Sequence, residues 1–150
     1  MTSFVTAGAG FLLAVLWFDL MFDVQVRRRG DGEPPDAAVE SIAAYYARVT
    51  TAARPMNRLV AIVMLGTLAA LVVELVRGDE PRWVTLVSLA FAGGAIVLAA
   101  TRTFPHAVRL GARADPVERR RWLAHSILRD HLACLLAIVS VLVLQLGFAR

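Results

Sequence analysis

Four long apolar stretches, separated by polar segments, dominate the pattern of the chain. A helix needs about 20 residues to cross a hydrocarbon core of about 30 Å, and the pattern predicts such spans over residues 4–26, 59–76, 83–101 and 132–148. The connection RGDEPR (77–82) is short and contains Gly and Pro, so it must join antiparallel neighbours. We therefore predict an all-α fold in which residues 1–150 form one integral membrane domain, a four-helix bundle.

The segment over residues 36–53, between the first two spans, has a different pattern. It is rich in alanine, and apolar side chains recur on one side at helical spacing, at Val39, Ile42, Tyr46 and Val49. This predicts an additional amphipathic helix. Two placements stay open: an interfacial helix with Tyr45 and Tyr46 at headgroup level, or a solvated helix packed under the bundle.

Composition and charge support a membrane location. Hydrophobic residues make up 58% of the chain and the mean hydropathy is +0.63, which is too apolar for an ordinary soluble domain. All sixteen basic residues are arginines, and they cluster at the ends of apolar runs, a pattern of membrane orientation rather than of nucleic-acid binding. Six lie between the first two spans, seven between the last two, and three elsewhere. The positive-inside rule then predicts a multi-pass protein of the cell membrane, with both long loops cytoplasmic and both termini outside.

This orientation brings the ionisable residues of all four spans to the cytoplasmic end of the bundle. Asp19 and Asp23 are four residues apart, so they share a helical face. A bare carboxylate at this depth is costly, so we expect both side chains to face the interior and to have partners. The other polar residues predicted at this end are Asn57, Arg58, Arg102, His106, His125, Arg129, Asp130 and His131.

Three hypotheses follow from that convergence. A set of oxygen and nitrogen ligands that suits iron, copper or zinc is formed by Asp19, Asp23, His106, His125 and His131. A transition metal or a haem is therefore one hypothesis, although the sequence identifies no cofactor. In the second, the carboxylates pair with arginines and fix the helix register. In the third, the cluster is a proton or substrate site without a metal.

Several residues near this end have more specific expectations. Trp122, His125 and Arg129 follow i, i+3, i+7 spacing and share a helical face. Trp17 is expected in the core or in the wall of a pocket, and Asn57 at the N-cap of the second span. The single cysteine, Cys134, excludes a disulfide framework within this chain and reads as a small core residue.

The motifs PMN (55–57) and W-x-x-H-x-x-x-R (122–129) resemble those of the anthrone-oxygenase-like family of small four-helix membrane proteins. The resemblance implies an oxygenase acting on an apolar aromatic substrate. It also implies that His125, Arg129 and Asn57 are polar groups around that substrate.

These observations leave two main hypotheses about function. In the first, the protein is a membrane-embedded oxygenase or oxidoreductase in which Asp19 or His125 acts as base or ligand and Arg129 holds developing negative charge. The residues expected around its hydrophobic ligand are Asp23, Asn57, Arg102, Trp17 and Trp122. In the second, it is a non-catalytic accessory or scaffold subunit, with a second copy or another membrane protein as partner. Transport ranks last, because the outer halves of the spans offer only Glu74.

Overall fold

The computed structural model describes residues 2–27, 36–52, 54–78 and 80–149, and this part of the chain contains helices and turns but no strand. The all-α prediction is confirmed. Helix α1 covers Thr2–Asp23 and continues as a 3-10 turn over Val24–Val26. The other helices are α2 (Asp36–Thr51), α3 (Arg54–Arg77), α4 (Arg82–Leu98), α5 (Phe104–Ala112) and α6 (Val117–Gly147), with a π-helical turn over Ala99–Thr103 that joins α4 to α5.

Four helical segments are long and apolar enough to cross a membrane: Thr2–Val26, Pro55–Arg77, Arg82–Ala112 and Val117–Gly147. The chain is thus a multi-pass membrane protein built as a helical bundle. The last two segments are 31 residues each, longer than the predicted spans 83–101 and 132–148. The predicted limits mark where the composition turns polar, whereas the helices themselves continue beyond the apolar stretch.

Two tight connections set the antiparallel order of the helices. After α3, Gly78 has a φ of 69°, and its N–H bonds to the carbonyl of Glu74 at 3.0 Å. Such a left-handed residue ends a helix, and glycine adopts it without steric cost. Arg113 plays the same part after α5, with a φ of 57°. Pro81 and Pro116 directly precede α4 and α6, where a proline cannot interrupt the helical hydrogen bonds.

The π-helical turn precedes Pro105, which has no N–H to donate to the preceding turn. Within this wider turn, the N–H of Phe104 bonds to the carbonyl of Ala99. One extra residue per turn lets the helix continue past the proline without a clash. It also shifts the register, so that Ala107 and Leu110 of α5 are buried under α2.

The bundle interior has polar side chains at both ends and apolar side chains in the middle. Inward-facing residues recur at alternating spacings of three and four, the seam expected of packed helices. In α6 they are His131, Cys134, Ile138, Val141 and Gln145; in α1 they are Val5, Ala9, Leu12, Leu16, Asp19 and Asp23. We call the end with Asp19, Asp23 and His131 the α2 end, since α2 packs across it, and the other the opposite end.

The apolar side of helix α2 faces the bundle. Val39, Ile42 and Tyr46 are buried there, in a cluster that includes residues of α5 and α6. The predicted apolar side is confirmed, and it is covered by protein. The approach is close, because a Cβ on Gly111 of α5 would lie 2.7 Å from the backbone nitrogen of Ala47.

A candidate acid–base site

Two carboxylates from α1 face the interior at the α2 end, as the sequence predicted. Asp23 is completely buried, and the Asp19 side chain is 18% exposed. Their partners come from other helices: His131 from α6, and Tyr45 and Tyr46 from α2. The site therefore depends on three helices, of which α1 and α2 are consecutive and α6 is distant in sequence.

Asp23 uses both of its oxygens. The hydroxyl of Tyr46 donates to Oδ1 at 2.7 Å, and Nδ1 of His131 lies 2.6 Å from Oδ2. Since a carboxylate oxygen accepts, this contact places a hydrogen on Nδ1 of His131. The other ring nitrogen, Nε2, is then the atom that can take up or release a proton.

Asp19 is only partly satisfied. Its Oδ1 accepts a hydrogen bond from the Tyr45 hydroxyl at 2.6 Å. Its Oδ2 lies 4.0 Å from Nε2 of His131, a distance too long for a direct hydrogen bond. Oδ2 of Asp19 and Nε2 of His131 thus face each other across a gap. We call these two atoms the open pair.

The open pair borders a cavity of about 130 Å³ between the four long helices, because Asp19 and His131 both line it. Most of the remaining wall is apolar. The exceptions are the thiol of Cys134 and the hydroxyl of Thr67, which has no hydrogen-bond partner in the described part of the chain. An apolar cavity of about 150 Å³ takes up a molecule the size of benzene, so this one suits a single ring or a short chain.

The tyrosine hydroxyls hold the carboxylates in place. The ring of Tyr45 also stacks on Phe22, with 4.0 Å between the ring centroids. Burial raises the pKa of both phenols; hydrogen bonding to Asp19 raises the pKa of Tyr45 further, and the charge of Asp23 that of Tyr46. Both therefore stay protonated at neutral pH and donate, rather than accept, at this site.

The predicted metal ligand set does not assemble. His106 contacts Ser126, with 3.3 Å between Nδ1 and Oγ, and packs edge-on to Trp122. His131 is directed at two carboxylates instead. Among the described residues, no group of three or more His, Cys, Asp or Glu side chains is arranged to hold a metal ion.

Among the described residues, arginines are not the partners of Asp19 and Asp23 either. Arg102 lies 3.4 Å from Asp130 and 3.5 Å from the Ser126 hydroxyl. The contacts to Asp19 and Asp23 come from a histidine and two tyrosines instead.

Four other predicted residues lie away from the open pair. Trp17 is 63% exposed, so its expected burial is wrong: it is on the side of α1 that faces away from the bundle. Asn57 is not an N-cap, because α3 begins at Arg54; its amide nitrogen donates to the carbonyl of Val49 at 2.7 Å and ties α3 to α2. His125 is half-buried and Arg129 exposed, and neither lines the cavity.

The sequence pattern did not predict that Tyr45 and Tyr46 belong to this site. Both were expected at headgroup level or beneath the bundle, without contact to the carboxylates. One feature of the sequence could have indicated it: the two tyrosines are adjacent on an amphipathic helix that follows two intramembrane aspartates. For Cys134, which lines the cavity, the signal was clearer. It is one turn from His131 on the same face of α6.

No protein-family model, no curated protein and no solved structure matches this chain. The resemblance to the anthrone-oxygenase-like family therefore stays a prediction from a few motif residues.

Proposed function

We propose that the protein binds a small lipophilic molecule inside the bundle and exchanges a proton with it through the open pair. The observation that carries the proposal is that Oδ2 of Asp19 and Nε2 of His131 face each other, 4.0 Å apart, at the border of a mostly apolar cavity. Binding sites of this kind combine an apolar wall with a few polar groups that orient the ligand.

The proposed chemistry begins with Nε2 of His131 as proton acceptor. When a hydroxyl or an acidic C–H of the ligand gives its proton to Nε2, the ring becomes an imidazolium held by Asp23 through Nδ1. A base oriented by a third group is a recurring arrangement in catalysis. Asp19 faces the new N–H and stabilises its charge, so the proton returns from Nε2 to the ligand or to Asp19.

The implied reaction class is acid–base chemistry on one ring or a short chain. An oxygenase or oxidoreductase reaction that starts by removing a substrate proton is one such reaction, and it is the activity that the sequence resemblance implies. Elemental analysis and an ultraviolet–visible spectrum of the purified protein would identify any metal or cofactor that takes part.

Paired ligands of equal size test the proposal. Phenol and toluene both fit a cavity of benzene size, but only phenol can donate a proton. We expect wild type to bind phenol more tightly than toluene in a thermal-shift or calorimetric titration. His131→Phe should reduce the affinity for phenol to that for toluene. Equal affinity of wild type for the two ligands would refute the acid–base role.

We further propose that the α2 end faces the cytoplasm of the cell. Thirteen arginines lie in the two long connections and three elsewhere in the chain, which supports this orientation. A cysteine at Asp79, which lies outside the described residues, should react with an impermeant thiol reagent in intact cells. A cysteine at the exposed Glu118, on the other side, should react only after permeabilisation. The reverse result would invert the topology.

A second candidate function is that of a non-catalytic accessory subunit. It is favoured by the hydrogen bonds of Tyr45 and Tyr46, which attach α2 to α1 and would maintain the shape of this end. The variant Asp19→Asn distinguishes the two proposed functions. An accessory subunit should keep its partner binding and show no ligand selectivity to lose, whereas the acid–base site should lose its preference for phenol.

A further inference from the structure

A second group of buried polar side chains lies at the opposite end of the bundle. Glu74 of α3 and Gln145 of α6 are each 1% exposed, and Thr85 and Ser88 of α4 are completely buried. The acid–base site uses none of them. The sequence pattern identified only Glu74 as a polar residue in this half of the spans. The structure shows that three more polar side chains are buried near it.

The turn between α3 and α4 brings these side chains to one level. Glu74 and Thr85 lie equally far from the centre of that antiparallel connection, so they lie at the same level of the bundle. The amide nitrogen of Gln145 donates to Oγ of Ser88 at 3.3 Å, and the Gln145 side chain lies beside the Glu74 carboxylate. Thr2 donates to Glu80 at 2.8 Å at the same end.

Oxygen atoms without a partner are concentrated here. Within the described part of the chain, both carboxylate oxygens of Glu74, Oγ1 of Thr85 and Oε1 of Gln145 are buried and accept no hydrogen bond of normal geometry. Glu74 also takes part in none of the ion pairs found there. A buried carboxylate in a membrane helix is costly unless its charge is compensated.

We propose that Glu74, Thr85 and Gln145 form a binding site for a small monovalent cation of the sodium class. Hard cations are bound by carboxylate, carbonyl and hydroxyl oxygens, which are the atoms left without partners. Glu74 is the fully buried carboxylate at this end, and its one negative charge balances one positive charge. Glu80, whose Oε1 accepts from Thr2 and whose Oε2 has no partner among the described residues, is only partly buried. Ser88 orients the Gln145 amide, and Thr2 and Glu80 lie between this group and the end of the bundle.

Thermal stability in Na⁺ and in choline, at constant ionic strength, tests the site. We expect Na⁺ to raise the melting temperature of wild type in a saturable way, because a ligand that binds the folded state stabilises it. Glu74→Gln should abolish this response. Glu118→Gln, which removes an exposed carboxylate from the α2 end, is the matched control and should respond as wild type.

Thr85→Val keeps the side-chain shape and all charges, so it decides the question even if Glu74→Gln does not fold. Loss of one oxygen contact to a charge should raise the half-saturating Na⁺ concentration about tenfold. An unchanged concentration would overturn the proposal. So would a wild-type response equal in Na⁺ and choline, since Glu74 would then be a protonated acid held within the protein.

Discussion

Nδ1 of His131 lies 2.6 Å from Oδ2 of Asp23, and both residues are buried. This contact joins α1 to α6 and at the same time directs Nε2 of the histidine towards Asp19. The two aspartates of α1 thus have different surroundings although they are one helical turn apart. Asp23 is saturated by His131 and Tyr46, whereas Asp19 retains one oxygen at the cavity border.

Removing the two carboxylates separately should therefore give unequal losses of stability. Asp23→Ala leaves a buried histidine and a buried tyrosine without their acceptor, and we expect a loss of about 3 kcal/mol. Asp19→Ala removes one partly buried hydrogen bond, and we expect about 1 kcal/mol. Reversible unfolding in mixed micelles measures both. Equal losses would contradict the division between a structural and a cavity-facing carboxylate.

The chain has only two tyrosines, Tyr45 and Tyr46, so tyrosinate absorbance reports on this site alone. Because burial raises the pKa of both phenols, we expect the folded protein to show no tyrosinate signal near the ordinary value of 10.0, and unfolded protein to titrate there. The folded state then holds these protons more tightly, so the stability they contribute is complete below about pH 10 and declines at higher pH. Normal titration of the folded Tyr46 in Tyr45→Phe would show that Tyr46 is not buried.

The close approach of α2 to α5 depends on Gly111. An alanine there would place Cβ 2.7 Å from the backbone of Ala47, which cannot rotate away. We expect Gly111→Ala to lower the unfolding free energy by about 1–3 kcal/mol. The control is Gly94→Ala, where Cβ meets nothing within 4 Å and a better helix former adds up to about 1 kcal/mol. A neutral Gly111→Ala would mean that α2 packs less closely than the structure shows.

Filling the cavity should prevent ligand uptake without changing the acid–base groups. Ala9 is buried and lines the cavity, whereas Ala7 of the same helix is exposed. We expect Ala9→Leu to abolish binding of toluene and of phenol, and Ala7→Leu to leave both unchanged. Calorimetric titration of the two variants provides the comparison. Normal binding by Ala9→Leu would place the ligand elsewhere.

The sequence predicted the polar end and offered both arginines and histidines as partners for its carboxylates, without choosing between them. The i, i+4 spacing puts Asp19 and Asp23 on one face, and the cost of a lipid-exposed carboxylate requires that face to be inward. Their partners depend on helix rotation and on how α2 folds back. Neither is encoded in local spacing, so His131 and the two tyrosines could not be distinguished from the arginines and the other histidines.

By itself, the sequence determined four apolar helices, the antiparallel turn at residues 77–82 and the apolar side of α2, because helical periodicity and hydrocarbon thickness are local constraints. The tertiary structure alone decided that Trp17 faces outward, that Asn57 bonds to the last turn of α2 and that Glu74 lies beside Gln145. The physical reason is that each of these outcomes depends on the relative rotation of packed helices. A rotation of a few tens of degrees leaves the hydrophobic pattern satisfied but exchanges the side chains that meet inside the bundle.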